Sequence, residues 1–291
     1  MYLPRLKTNA YCLNFLAPAP NAQSMACVVV GASQGLGESL CKLFHAKGHS
    51  VVGASRNTRK LEELESLGIE TFACDVRVPQ EMHDLMLFAN GKFGGISILI
   101  LCFGVNFDDL VVDWESTEGF RTVVDTNLVG AANALHAAMP YLTKARNGAQ
   151  VVVLTSLAGI IGCVPGGSAY AASKAGLDAM FSSCAPELKS LGISVLIVDP
   201  GSMQSTSPRQ VVGSGMRYLN NSSSRRRAKP PQQVAETIYR AIAAKKSGRL
   251  WSTYRVLVLA ALGIKYFLPS LMDRLAMRVR FQSSPPSTTL I

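Results

Sequence analysis

The stretch Ala26-Cys27-Val28-Val29-Val30-Gly31-Ala32-Ser33-Gln34-Gly35-Leu36-Gly37 passes from five apolar residues through three glycines into the amphipathic segment "ESLCKLFHAKG". A short β-branched run closed by glycine reads as a buried strand, and the apolar spacing that follows reads as a helix. Gly31, Ser33, Gln34, Gly35, Leu36 and Gly37 then form the turn between them. Backbone without Cβ atoms at such a turn approaches a pyrophosphate closely, and the free N–H groups and positive dipole of the helix start favour the anion. A glycine triplet alone is a weak signal, but between a buried strand and an amphipathic helix it predicts a dinucleotide site.

Outward from this turn the same alternation repeats. Runs at Ser50 to Ala54, Glu70 to Cys74, Ser97 to Leu101, Gln150 to Leu154 and Ser194 to Val198 predict further strands, with "TRKLEELESLG" and "PQEMHDLMLFANGKFG" as helices between them. Strands buried on both faces and joined by helices form a parallel sheet, and right-handed crossovers make it doubly wound. The expected class is α/β, a Rossmann-like doubly wound parallel sheet in a single domain at residues 25–250. Residues 1–24, with Arg5, Lys7, Pro18 and Pro20, read as an unstructured or targeting extension, and residues 251–291 as a basic, hydrophobic tail.

Composition bounds the partners. With 48% hydrophobic and 16% charged residues the 291-residue chain is globular and greasy rather than disordered. Seven scattered cysteines, Cys12, Cys27, Cys41, Cys74, Cys102, Cys163 and Cys184, include no C-x-x-C pair and read as reduced thiols; four histidines without ligand spacing predict no metal. The net charge of +10 is uneven: of 29 basic residues 15 lie beyond residue 199, against only two of the 19 acids. An anionic membrane surface or a phosphate-bearing substrate accounts for that asymmetry as well as nucleic acid does. Nucleic acid is the weakest of the three, because the basic tail lacks aromatics interleaved as stacking platforms.

Two local patterns carry chemistry. An NAD site ends its second strand on an acid that grips the ribose hydroxyls, whereas "VVGASRNTRK" supplies Arg56, Arg59 and Lys60, and Arg56 suits a 2′-phosphate. Further on, "GSAYAASK" sets Tyr170 and Lys174 four residues apart on one helix face, where an ammonium beside a phenol favours the phenolate and tunes it for acid–base work.

Taken in order, the glycine loop, "CDV" at Cys74 to Val76, "TNLVGA" at Thr126 to Ala131, "LTSLAG" at Leu154 to Gly159, the Tyr170/Lys174 pair and "DPG" at Asp199 to Gly201 resemble the short-chain dehydrogenase/reductase superfamily across residues 26–201. The resemblance implies hydride transfer between a nicotinamide and an alcohol or carbonyl, with NADP(H) as the cofactor that Arg56 selects. By the same resemblance Tyr170 is the general acid, Lys174 its pKa partner and ribose ligand, Ser156 the donor to the carbonyl oxygen, and Asn127 the anchor of a water in the proton relay. Asp75 and Val76 would meet the adenine, while Gly104, Pro200 and Gly201 would line the cofactor path. Two departures stand out. Val30 replaces a common Thr, and Leu101-Cys102-Phe103-Gly104 replaces Asn-Asn-Ala-Gly, which predicts weaker support of the cofactor.

Beyond Gly201 a polar segment at about 202–230, including Arg225-Arg226-Arg227, reads as a substrate flap. "VLVLAALGIKYFLPSLM", Val256 to Met272, is short of the roughly 20 residues of a spanning helix and carries Lys265 and Pro269, so it reads as lying in a membrane interface. This ending is similar to the dehydrogenase/reductase member 7B subgroup, which implies a hydrophobic or lipid ketone, with acyl- or alkyl-dihydroxyacetone phosphate as the lead. The expectation is an NADPH-dependent carbonyl reductase on the cytosolic face of the endoplasmic reticulum or another organelle, with a soluble cytoplasmic protein as the alternative. The family implies a homodimer or homotetramer. A steroid- or retinoid-type alcohol dehydrogenase and a low-turnover NADPH-binding scaffold remain competing functions. The closing "TTLI" differs from the peroxisomal Ser-Lys-Leu address.

Overall fold

The structure, a computed structural model, describes residues 25–107, 110–111, 114–162, 165–204, 211–212, 228–251, 255–268, 270–272 and 274–275. Cys12, Cys163, Arg225 to Arg227, the extension 1–24 and most of the expected flap lie outside these residues.

The run ACVVV forms β1 (Ala26–Val30), followed by α1 (Gly35–Ala46), β2 (Ser50–Ser55), α2 (Thr58–Glu65), β3 (Glu70–Ala73), α3 (Pro79–Phe93) and β4 (Ile98–Leu101). The second half contributes α4 (Glu118–Val124), a π-helical turn (Asp125–Val129), α5 (Gly130–Leu142), β6 (Ala149–Leu154), α6 (Leu157–Ile161), α7 (Ser168–Ser190) and β7 (Ile193–Asp199). A two-residue β5 (Asn106–Phe107) pairs with β8 (Val211–Val212) apart from the main sheet, and the described chain closes with α8 (Pro231–Ala243), β9 (Gly248–Trp251) and α9 (Arg255–Phe267).

Seven parallel strands stand in the order β3-β2-β1-β4-β6-β7-β9. The six expected strands appear within a residue of their expected ends, and β9 was not foreseen. Both faces of the sheet are covered, as unbroken runs such as VVV and ILIL require. One layer buries Met82, Leu85, Met86 and Ala89 of α3 together with faces of α5 and α7. The opposite layer packs α1, α2 and α8. In α8 the buried residues Val234, Ala235, Ile238, Ala241 and Ile242 recur at helical spacing, so one stripe faces the sheet and the other side stays polar. Ile238 is fully buried, and truncating such a side chain to Ala costs about 2–5 kcal/mol.

Strand order reverses between β1 and β4. Val30 pairs with Ala54 on one side and Leu101 on the other, so the crevice opens beyond the carboxyl ends of these strands.

Candidate active site

A cleft of about 910 Å³ occupies that crevice. At one end lie Gly31, Ser33, Gln34, Gly35 and Leu36; at the other lie Ser156, Tyr170 and Lys174, with Pro200 and Gly201 beside them. Val76, Gly104 and Arg56 also line it, so most of the expected site residues meet here. Three do not reach the wall: Gly37, Asp75 and Asn127 are absent from the lining.

Gly37 acts from behind the wall. A Cβ on it would fall 2.1 Å from the carbonyl oxygen of Gly31, so glycine is what lets α1 start against the turn. Gly31 adopts a φ of +94°, and a Cβ there would meet the Cys102 and Phe103 backbone at 2.7–2.8 Å. Backbone bonds tie the turn to the sheet, Gly31 N and Ala32 N donating to Ala54 O at 2.8 and 3.0 Å, while Cys102 N donates to Val30 O at 2.8 Å. Main-chain bonds thus support the loop although Val30 and Cys102 have replaced polar side chains. The Gln34 side chain does not cap α1, whose first N–H groups are left to an incoming anion.

These features fit a dinucleotide. The glycine cradle excludes any Cβ, the helix start offers unsatisfied donors, and the buried Thr126 hydroxyl, which lines the cleft, has no hydrogen-bond partner.

At the chemical end, Ser156 stands just after β6 and caps α6, its Oγ accepting from Ala158 N at 3.2 Å. An acceptor role leaves the hydroxyl proton to be donated outward. Lys174 is only 4% exposed and donates to Leu154 O at 2.8 Å, with Nζ 5.9 Å from the Tyr170 ring centroid. Burial drives its pKa down to about 8, partly opposed by Cys102 and Asp199. Tyr170 and Lys174 thus share a helix face at the cleft, as their spacing predicts.

Asn127 sits in the π-helical turn, the kind of helix defect that often marks a site. Its carboxamide is engaged with protein: Oδ1 accepts from Val105 N at 2.8 Å, and Nδ2 donates to Val105 O at 2.9 Å and Ser173 Oγ at 3.0 Å. Ser173 in turn donates to Tyr170 O at 2.8 Å. The side chain therefore pins the Tyr170 helix to the strand-end loop. A Cβ on Gly104 would lie 3.3 Å from Asn127 Oδ1 and 3.5 Å from Lys174 Nζ, so these two groups face the same spot.

Asp75 is turned to Arg77, whose Nη2 donates to Oδ2 at 2.6 Å and whose Nε donates to Oδ1 at 3.1 Å. Hydrogen bonding from Arg77 holds that carboxyl below the usual range. Arg56 approaches the same Oδ2 at 3.8 Å while lining the cleft.

Sequence reading missed two parts of the site. Thr126 lines the cleft, and its only sequence signal is adjacency to Asn127. The ends of the expected flap are tied together, with Gln204 N donating to Lys229 O and Lys229 N to Ser202 O, both at 3.0 Å. Met203 and Gln204 consequently stand in the cleft wall. Much of the segment expected in a membrane interface falls in α9, which packs on α6, with Lys265 Nζ donating to Ile160 O at 3.4 Å. Among the described residues no helix is long and apolar enough to cross a membrane.

Comparison with known proteins accords with this geometry. The family described as short chain dehydrogenase matches residues 25–215. The chain is 30% identical over 240 residues to dehydrogenase/reductase SDR family member 7B of Danio rerio, covering 78% of this chain and 77% of that protein. It is 32% identical over 181 residues to a 3-oxoacyl-[acyl-carrier-protein] reductase of Staphylococcus epidermidis, covering 60% and 73% respectively. A short-chain dehydrogenase from Streptomyces avermitilis shares the fold at a TM-score of 0.73 and 22% identity, over 91% of this chain and 99% of that one. An alcohol dehydrogenase from the archaeon Thermococcus sibiricus, solved with 5-hydroxy-NADP, aligns at 0.65 and 20% identity over 77% and 94%. Matches of this extent, on a sheet of this order, place the chain in the short-chain dehydrogenase/reductase family, oxidoreductases that act on CH–OH and C=O groups with a nicotinamide dinucleotide.

Proposed function

We infer that the protein is an NADPH-dependent carbonyl reductase acting on a hydrophobic or lipid ketone. The observation that carries this reading is one cleft with a phosphate cradle at one end and Ser156, Tyr170 and Lys174 at the other. A bound dihydronicotinamide supplies the hydride. Tyr170 donates its phenolic proton to the oxygen on which charge develops, and the Ser156 hydroxyl donates to that oxygen from the other side. The Lys174 ammonium steadies negative charge on the phenol oxygen, and Asn127 keeps the Tyr170 helix in place through Ser173.

Arg56 supports NADPH over NADH. No acid ends β2, Arg56 faces the cleft, and the short contacts of Asp75 go to Arg77. Phe103, Val105, Leu157, Ala158 and Met203 give the substrate end an apolar wall. The similarity to a 3-oxoacyl reductase adds support for a ketone on an acyl chain, and acyl- or alkyl-dihydroxyacetone phosphate is the lead substrate. A membrane surface is the source of such a substrate. Leu259, Tyr266, Phe267, Leu268, Leu271 and Leu275 are exposed along α9 and the residues after it, on the chain's basic third. Assembly as a homodimer or homotetramer through the helices of Asn127 and Tyr170 would cover the exposed Val129.

The test is a fluorescence titration of NADPH and NADH with wild type and Arg56→Ala, followed by a screen of lipid ketones. Tighter NADPH binding that falls by about 10–100-fold in the variant is expected for loss of a charged hydrogen bond. Equal binding of both nucleotides, unchanged in the variant, refutes the cofactor assignment. A purified enzyme that reduces other carbonyls but leaves acyl-dihydroxyacetone phosphate untouched refutes the lead substrate.

A further inference from the structure

The parallel pairing of β7 with β9 sets Ile197 beside Arg249 and Asp199 beside Trp251. From this edge strand Arg249 reaches two carboxylates. Nη1 donates to Asp199 Oδ2 at 2.8 Å and Nη2 to Asp178 Oδ1, while the guanidinium lies 5.3 Å from the Trp251 ring centroid. The other oxygen of Asp199 accepts from Thr155 Oγ1 at 2.8 Å. Asp199 is wholly buried. A continuous chain Asp178–Arg249–Asp199–Thr155 therefore joins α7, β9, β7 and β6.

Every acid or hydroxyl in that chain is next to a site residue. Thr155 precedes Ser156, Asp199 precedes Pro200 and Gly201, and Asp178 is one helical turn beyond Lys174. Lys174 donates to the carbonyl of Leu154, the residue before Thr155. A buried carboxylate stays charged only with good partners, and taking one partner away leaves it uncompensated. Resting on the reductase reading above, we propose that Arg249 is a positioning residue for carbonyl reduction, one that keeps Asp199 ionised and locks the ends of β6 and β7 in register with the Tyr170/Lys174 helix.

The electrostatics follow from the same geometry. Burial raises the Asp199 pKa; the Thr155 hydroxyl and Arg249 oppose it, and Asp178 adds to it. Lys174, lowered by burial, is supported by Cys102 and Asp199, with the Tyr170 ring beside it. Without Arg249, Asp199 holds its proton to higher pH, and Lys174 loses a counter-charge and releases its own proton at lower pH.

The full chain is compared with Arg249→Met, Arg249→Lys and the double variant Arg249→Met/Asp199→Asn. Two readouts are taken: the pH profile of NADPH-dependent reduction of a 3-oxoacyl thioester, and thermal unfolding without ligand at pH 6 and pH 8. In Arg249→Met, kcat falls at least about 10-fold with KM for NADPH nearly unchanged, and the alkaline limb of the profile moves to lower pH. Its Tm deficit relative to the double variant is larger at pH 8 than at pH 6, because only the single variant keeps a carboxyl with a raised folded pKa, which loses its contribution as pH climbs through that pKa, whereas the Asp199 charge beside Lys174 is removed in the double variant at every pH. Wild-type kcat, an unmoved limb and a Tm deficit equal at both pH values overturn the proposal. If Arg249→Met does not fold, Arg249→Lys decides. It keeps a cation at Asp199 but gives up one arm, so a reduced kcat with the limb in place supports the proposal and a wild-type kcat overturns it. A wild type that reduces no carbonyl refutes the reductase reading separately, and the two-pH unfolding series still decides whether Arg249 keeps Asp199 ionised.

Discussion

Replacing Gly37 by Ala sets two effects against each other. In an open helix the change stabilises by about 1 kcal/mol, because alanine is the better helix former. At Gly37 the new Cβ would lie 2.1 Å from Gly31 O, an approach that neither backbone can absorb without moving. Relieving it requires a displacement of about 1 Å at the start of α1, and misplacement on that scale costs on the order of 100-fold in rate. Overpacking costs about 1–3 kcal/mol, so the net loss is about 1 kcal/mol, or roughly 2–4 °C in Tm for a domain of this size. Gly91 in α3 is the control, because a Cβ there meets nothing within 4 Å. Gly91→Ala should raise Tm by up to roughly 2–4 °C and leave nucleotide binding alone. Thermal unfolding and NADPH titration of both variants check this. A Gly37→Ala protein that binds NADPH within twofold of wild type and melts no lower refutes the role given to the cradle.

Tyr170→Phe should lower kcat by about 10²–10⁴-fold while NADPH affinity stays within threefold, as single-turnover and binding assays would register. Lys174→Met should stabilise the ligand-free protein at pH 7. The folded pKa of about 8 lies below the ordinary 10.5, so the wild type carries a penalty below pH 8 that fades between those values, and the variant's advantage should shrink toward pH 10 in an unfolding series. Reductase activity should itself fall as pH rises through about 8, where Lys174 loses its charge. Substituting Ser for both Tyr266 and Phe267, 70% and 85% exposed, should reduce co-sedimentation with vesicles of anionic lipid several-fold without changing reduction of a water-soluble carbonyl.

The sheet was legible because its strands are buried on both faces. Runs such as Val28-Val29-Val30 and Val151-Val152-Val153 have no other stable home, and their ends were read within a residue. The seventh strand was not, because Gly248-Arg249-Leu250-Trp251 is short, half-exposed and lacks β-branched residues. Its presence is decided by pairing with β7 across about 50 positions of sequence, a non-local fact. The same limit applies to the site. Tyr170 and Lys174 announce themselves through helical spacing, and Ser156 through its order in the family pattern. The engagement of Asn127 with Val105 and Ser173 and the grip of Arg249 on Asp199 depend on which loops the sheet brings together. Asp199 was legible only as one letter of "DPG", and nothing local in the sequence points to a partner at position 249.

The place of β9 in the chain also sets an order of events during synthesis. Six strands of the sheet are complete once residue 199 has been made, and domains assemble from the N-terminal side as the chain emerges. Until residue 249 follows, the β7 edge is open and Asp199 lacks the guanidinium that donates to it in the finished fold. A chain that stops short of β9 therefore presents an unpaired strand edge, which is prone to aggregate, and a buried carboxylate short of one of its cations. Strand β9 closes the edge and delivers Arg249 at one stroke, so strand pairing and charge balance are completed by the same four residues.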